Sequence, residues 1–202
     1  GKGMSEDAAP KARLSRRMLL AAAAVAGGTA VVGGLASSQG GPPPPSAMRS
    51  RTLGRTGLKV SEIGFGGYPI DDPDVLVYAL ERGINYVDTA HCYRGGASER
   101  AIGPALKGRR DRFVLTTKWC PHHIGQPATK QVFLDMLDLS LRRLGTDYVD
   151  IVLNHEVGRH SDRLGVERLT NPEMLEAFAV AKKAGKARFL GFSSHTPNLA
   201  QV

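Results

Sequence analysis

Apolar and polar positions alternate between two periods along this chain. Short runs such as Ile84-Asn85-Tyr86-Val87, Phe113-Val114-Leu115-Thr116-Thr117, 148–153 and 187–192 are of strand length and rich in β-branched or aromatic residues. Each is followed by a helical pattern. Val75, Leu76, Ala79 and Leu80 predict an inward helix face opened by Asp72-Pro73 and closed by Gly83. Residues 98–106 predict a second helix. Val132, Phe133, Met136, Leu137, Leu141 and Leu144 predict a long third one over 129–144, stopped by Gly145, and Asn171-Pro172 caps a fourth. A hairpin of 49–53 with 58–60 precedes a first sheet strand at 62–65, and Thr196-Pro197 begins a fifth helix. Strand then helix, repeated, implies a parallel sheet or barrel.

In such folds functional side chains gather at the carboxyl ends of the strands. Asp88, Lys118 and His155 each close an apolar run, and Tyr93 sits five residues beyond Asp88 in the same loop. These four groups suit carbonyl reduction. Hydride arriving at a carbonyl carbon leaves charge on the oxygen, where a proton must be supplied. A phenol is a weak acid at neutral pH, and an adjacent ammonium stabilises the phenolate it leaves behind. Asp88 would hold Lys118 charged and fixed, while a histidine beside the tyrosine would orient the carbonyl. A buried structural ion pair is the plainer account of Asp88 and Lys118, and only the joint pattern favours chemistry.

The chain resembles the aldo-keto reductase family in Asp88-Thr-Ala-His-Cys-Tyr93, in Gly95-Gly96-Ala97-Ser98-Glu99 with Gly103, in Thr117-Lys118, in Asp150-Ile-Val-Leu-Asn-His155 and in Gly191-Phe-Ser-Ser194. The segment 51–66 resembles the family's opening hairpin and first strand. The resemblance implies a (β/α)8 TIM barrel with Tyr93 as proton donor, Asp88 and Lys118 tuning it, and His155 orienting a small-molecule carbonyl substrate. It also implies a nicotinamide cofactor, NADP (NADPH) by family habit with NAD as the alternative. Gly66, Gly67, Tyr68, Asp88, Ser193 and Ser194 would meet its nicotinamide end, and Trp119 would line the substrate pocket, with core packing as that residue's other reading. Ser194 stands where the family usually has Asn. Five strands are legible against the eight and about 250 residues of a closed barrel, so the expectation is a barrel truncated after the fifth strand, inactive by itself. The other readings are a non-catalytic regulatory or binding barrel and a non-functional truncated product.

Composition divides the chain. Residues 1–48 are dominated by Ala, Gly, Ser and Pro, which leaves 49–202 for the barrel, enough for a sizeable core. Ser15-Arg16-Arg17-Met18-Leu19-Leu20 before a weakly apolar stretch resembles a twin-arginine export signal over 1–36. Residues 37–48, with four consecutive prolines, read as a stiff linker. The expected partner is therefore the twin-arginine export machinery, with only transient membrane contact and a periplasmic destination. A membrane anchor retained through an uncleaved leader, or a cytoplasmic protein with a basic tail, are the alternatives. The formal charge of +8 is shared between the leader and the rest, and no basic stripe interleaved with aromatics appears, so nucleic acid is not an expected partner.

Cys92 and Cys120 fall at strand ends near the four-residue set and could meet across adjacent loops. With His91, His122 and His123 they raise the question of zinc or copper. The Cys120-Pro-His-His run lacks a second matching pair, which argues against a metal site.

Overall fold

The computed structural model describes residues 48–157 and 169–195. The 1–36 leader, nearly all of the 37–48 linker and the helix expected from Thr196-Pro197 lie outside the described residues. Two short strands, β1 (Ser50–Thr52) and β2 (Lys59–Ser61), pair antiparallel as the opening hairpin. Five parallel strands follow in sheet order: β3 (Phe65–Gly66), β4 (Tyr86–Asp88), β5 (Val114–Trp119), β6 (Val149–Val157) and β7 (Ala187–Ser194). Strands neighbouring in sequence are neighbours in the sheet, and helices α1 (Pro73–Glu81), α2 (Ala97–Leu106), α3 (Lys130–Leu144) and α4 (Pro172–Lys183) connect them. These are successive units of a β/α barrel.

Local chemistry accounts for the helix boundaries. Asp72 Oδ1 accepts from the Asp74 N–H at 2.9 Å with Pro73 in the first turn, and Thr129 Oγ1 accepts from Val132 N–H at 3.3 Å. Asn171 Oδ1 accepts from Glu173 N–H at 2.9 Å, and Gly145 ends α3 in the left-handed region at φ 62°. The helices bury Leu76, Ile102, Leu106, Phe133, Leu137, Leu144, Met174 and Ala177 against the strands. One expected inward position fails: Val75 is 52% exposed. It lies in the first turn of α1, ahead of the face that Leu76, Ala79 and Leu80 press onto the sheet.

Strand lengths also depart from the hydrophobic pattern. Ile63 is 59% exposed, and of the expected 62–65 strand only Phe65 pairs with β4, together with Gly66 just beyond it. β6 and β7 instead run on through their polar ends, to Val157 and Ser194. Parallel ladder pairing to a neighbour carries a strand past the point where its apolar run stops. Buried ion pairs tie the layers together. Glu99, fully buried, meets Arg143 at 3.2 Å and accepts from Thr117 Oγ1 at 2.7 Å. Asp150 takes Arg110 and Arg188, each at 2.8 Å, and accepts from Leu115 N–H at 2.9 Å.

Candidate active site

Register places the site. Asp88 pairs with Thr116, and Lys118 lies two residues farther along β5, so Asp88, Thr116 and Lys118 share one face of the sheet. Thr117 and Trp119 take the other face, toward the helices. Lys118 Nζ is 2.8 Å from Asp88 Oδ1, and it donates to Tyr93 Oη at 3.0 Å and to Thr89 O at 2.9 Å. Apart from that ion pair, Asp88 Oδ1 has no hydrogen-bond partner among the described residues. The ammonium also lies 4.5 Å from the Tyr93 ring centroid. Tyr93 is brought over it by a tight turn in which Arg94, Gly95 and Gly96 all have positive φ. The ring of His155 stands edge-on to Tyr93, centroids 5.8 Å apart, and Tyr68 approaches Tyr93 edge-on from another side at 5.3 Å. Asp88, Tyr93, Lys118 and His155 are thus gathered at the carboxyl ends of β4, β5 and β6.

The loop after β3 is held by its contacts with α2. Gly67 N–H donates to Asp88 O at 2.7 Å, and Ser98 Oγ donates to Gly67 O at 2.6 Å while sharing a 2.7 Å hydrogen bond with Thr89 Oγ1. A Cβ on Gly67 would come within 2.9 Å of Ser98 Oγ and 3.0 Å of both Asp88 O and Ile102 Cδ1, whereas one on Gly66 would meet nothing within 4 Å. Gly66 and the exposed Tyr68 therefore offer open surface beside Tyr93, and Gly67 is a packing position. Ser193 Oγ accepts from Glu156 N–H at 3.2 Å and Ser194 Oγ donates to Val157 O at 2.7 Å, so both hydroxyls are turned to the end of β6.

Trp119 requires a correction. It is 2% exposed and packs on Phe133 with centroids 5.5 Å apart, inside the core rather than along a substrate pocket. The pleat decides this: with Lys118 facing the site, its neighbour must face the helices.

Cys92 and Cys120 are free thiols, and their sulfurs lie within 4.8 Å of each other and of a His155 ring nitrogen. Cys92 Sγ is 3.4 Å from His155 Nδ1. A hydrogen bond from Cys120 and the nearby His155 pull the Cys92 thiol well below its ordinary range against the opposing effect of burial, while Cys120 is pushed up by the same contact and by its own burial. His91 turns away to Ser140 and Arg143, and burial lowers its basicity. His122 and His123 group not with the cysteines but with Glu156, which spacing does not point to, and the ligand atoms of these three lie within 4.8 Å of one another.

The aldo/keto reductase family model matches residues 63–202. The chain belongs to the aldo/keto reductase family. It is 34% identical over 163 residues to an uncharacterized oxidoreductase of Bacillus subtilis, covering 75% of this chain and 51% of that protein. The holo form of an aldo-keto reductase from Bacillus halodurans superimposes with a TM-score of 0.61 at 35% identity, over 76% of this chain and 53% of that one. An aldo/keto reductase from Klebsiella pneumoniae, solved in complex with NADP and acetate, gives a TM-score of 0.59 at 30% identity, over 72% and 50% of the two chains. The chain spans about half the length of the curated relatives it matches.

Proposed function

We propose that the protein is an NADPH-dependent reductase of small aldehydes or ketones. The observation that carries this reading is the Lys118 ammonium, 3.0 Å from Tyr93 Oη and 2.8 Å from Asp88 Oδ1. Because Lys118 donates to the Tyr93 oxygen, the phenol hydrogen is directed elsewhere, toward the open side where a carbonyl oxygen would sit. The nicotinamide would supply hydride to the carbonyl carbon. Tyr93 gives its proton to the oxygen, which completes the alcohol, and the phenolate remaining is stabilised by Lys118. Asp88 holds the ammonium in place throughout. His155 walls the substrate side of Tyr93, its Nδ1 held 3.4 Å from Cys92 Sγ.

Gly66, Tyr68 and Asp88 would hold the nicotinamide end, by open backbone surface, ring contact and carboxylate. NADP is preferred to NAD by analogy with the Klebsiella relative. Gly67 would contribute only through its backbone. Ser193 and Ser194 would contribute only after their hydroxyls leave β6.

Tyr93→Phe in the whole protein is expected to lower kcat for carbonyl reduction by about a hundredfold or more with nucleotide affinity nearly unchanged. Steady-state kinetics and a nucleotide titration make the measurement; undiminished turnover would remove Tyr93 from the role, whereas nucleotide binding without turnover in the parent protein would favour a regulatory, non-catalytic barrel.

We also infer that Ser15-Arg16-Arg17-Met18-Leu19-Leu20 directs export through the twin-arginine route to the periplasm, a route open to folded, cofactor-loaded proteins.

A further inference from the structure

Beyond the reductase site, three imidazoles and one carboxylate come together from three successive strand ends. Glu156, with its side chain 6% exposed, has His123 Nε2 at 2.9 Å and His122 Nε2 at 3.8 Å from Oε2, and His195 Nε2 at 3.7 Å from Oε1. His122 and His123 come from the turn Pro121–Ile124 after β5, Glu156 from β6 and His195 from the residue following β7. The backbone is bent to bring the carboxylate there. Glu156 has φ 54°, a left-handed conformation costly for a residue with a side chain, at a register shift between Asn154 and Val157. Its N–H is held in that position by Ser193 Oγ.

We propose that His122, His123, Glu156 and His195 form a binding site for a divalent transition metal, zinc by ligand preference. Imidazole and carboxylate are zinc donors at about 2.0–2.2 Å, and a tetrahedron of that size separates donor atoms by about 3.3 Å. The ligand atoms of His122, His123 and Glu156 lie within 4.8 Å of one another, with 2.9 and 3.8 Å from the imidazoles to Oε2, while His195, 3.7 Å from Oε1, stands outside that group and would close on the ion as it binds. The three imidazoles are partly exposed, which gives an ion a way in and the rings freedom to close on it, while Glu156 is the anchored ligand. His123 stacks on His155 at 5.2 Å and 17°, so the ion would lie beside the reductase site and lock the loops after β5 and β7 to the end of β6. Binding is independent of the reductase reading.

The test is zinc titration of the chelator-treated protein by calorimetry, with Co2+ as spectroscopic probe. One equivalent is expected with micromolar or tighter affinity, and Co2+ should show visible d–d absorption without sulfur-to-metal charge transfer. His122→Gln and His195→Gln, at exposed positions that should not disturb folding, are each expected to weaken binding by more than about tenfold, and Glu156→Gln more severely. Cys92→Ser should change it less than twofold. Absence of saturable binding overturns the proposal. So does loss of binding in Cys92→Ser with retention in the histidine variants, because that places the ion on the cluster of Cys92, Cys120 and His155.

Discussion

Asp88 and Lys118 form one ion pair, yet removing either partner should have unequal consequences, because their surroundings differ. The Lys118 side chain is 4% exposed and the Asp88 side chain 34%. Asp88→Asn strands an ammonium with two neutral acceptors, Thr89 O and Tyr93 Oη, and no counter-charge at hydrogen-bond distance. Breaking a fully buried pair this way costs about 3–5 kcal/mol, and the partial exposure of Asp88 brings the expected loss to about 2–3 kcal/mol. Lys118→Met removes the buried charge itself. The Asp88 side chain left behind is partly exposed, and its buried Oδ1 and the buried Thr89 carbonyl each lose a donor at a cost of about 1 kcal/mol, offset by an apolar chain in the space of the ammonium. The expected net change is within about 1 kcal/mol of zero. Urea unfolding of the two variants beside the parent protein should therefore separate them by about 2 kcal/mol, with Asp88→Asn the weaker fold. Both should lose carbonyl reduction. Equal destabilisation, or a larger loss in Lys118→Met, would show that the ammonium is hydrated and that its burial plays no part in how the site is held.

Cys92 offers a pH test. Its thiol is lowered from an ordinary 9.0 to about 5, so iodoacetamide should label it at a nearly constant rate down to about pH 6, with Cys120 labelled only on unfolding. Because the folded value is the lower one, this thiol's contribution to stability is complete above about pH 9 and gone below about pH 5; a labelling rate that falls tenfold per unit from pH 8 would contradict the assignment. Gly67→Ala should destabilise by about 1–3 kcal/mol, since the backbone oxygen of Asp88 at 3.0 Å cannot yield as a side chain would; unchanged thermal unfolding counts against that packing role. Arg16→Lys with Arg17→Lys should leave the precursor in the cytoplasm on fractionation, whereas undiminished periplasmic export would refute the twin-arginine reading.

Much of this architecture is legible in the chain because each unit states its own boundaries. Asp72-Pro73, Thr129, Gly145 and Asn171-Pro172 punctuate helices through hydrogen bonds they make within a few residues, which spacing alone reveals. Asp88, Lys118 and His155 stand out because ionisable groups end apolar runs. What spacing could not reveal depends on which way a residue points once the ladder is paired. Of the two readings of Trp119, pocket and core, adjacency to Lys118 in a paired strand selects the core, because neighbours in a strand face opposite sides. The hydroxyls of Ser193 and Ser194 are likewise turned by β6 extending alongside them, which spacing does not show.

Glu156 is the sharpest case of the same limit. In a regular strand it would alternate with His155 and face the helices, away from the mouth of the sheet. The register shift after Asn154 and the left-handed φ at Glu156 break that alternation, and both His155 and Glu156 then serve the same end of the sheet. A residue with a side chain adopts that conformation only where its surroundings impose it. The Ser193 hydroxyl on its N–H and the imidazole of His123 on its carboxylate are among the contacts that hold it there. Two chemistries therefore share one bend of β6: His155 turned to Tyr93, and Glu156 turned to the imidazoles. A substitution that straightened the bend, restoring alternation, should displace the carboxylate and disturb His155 together, which ties the candidate metal site and the reductase site through backbone geometry rather than through any direct bond.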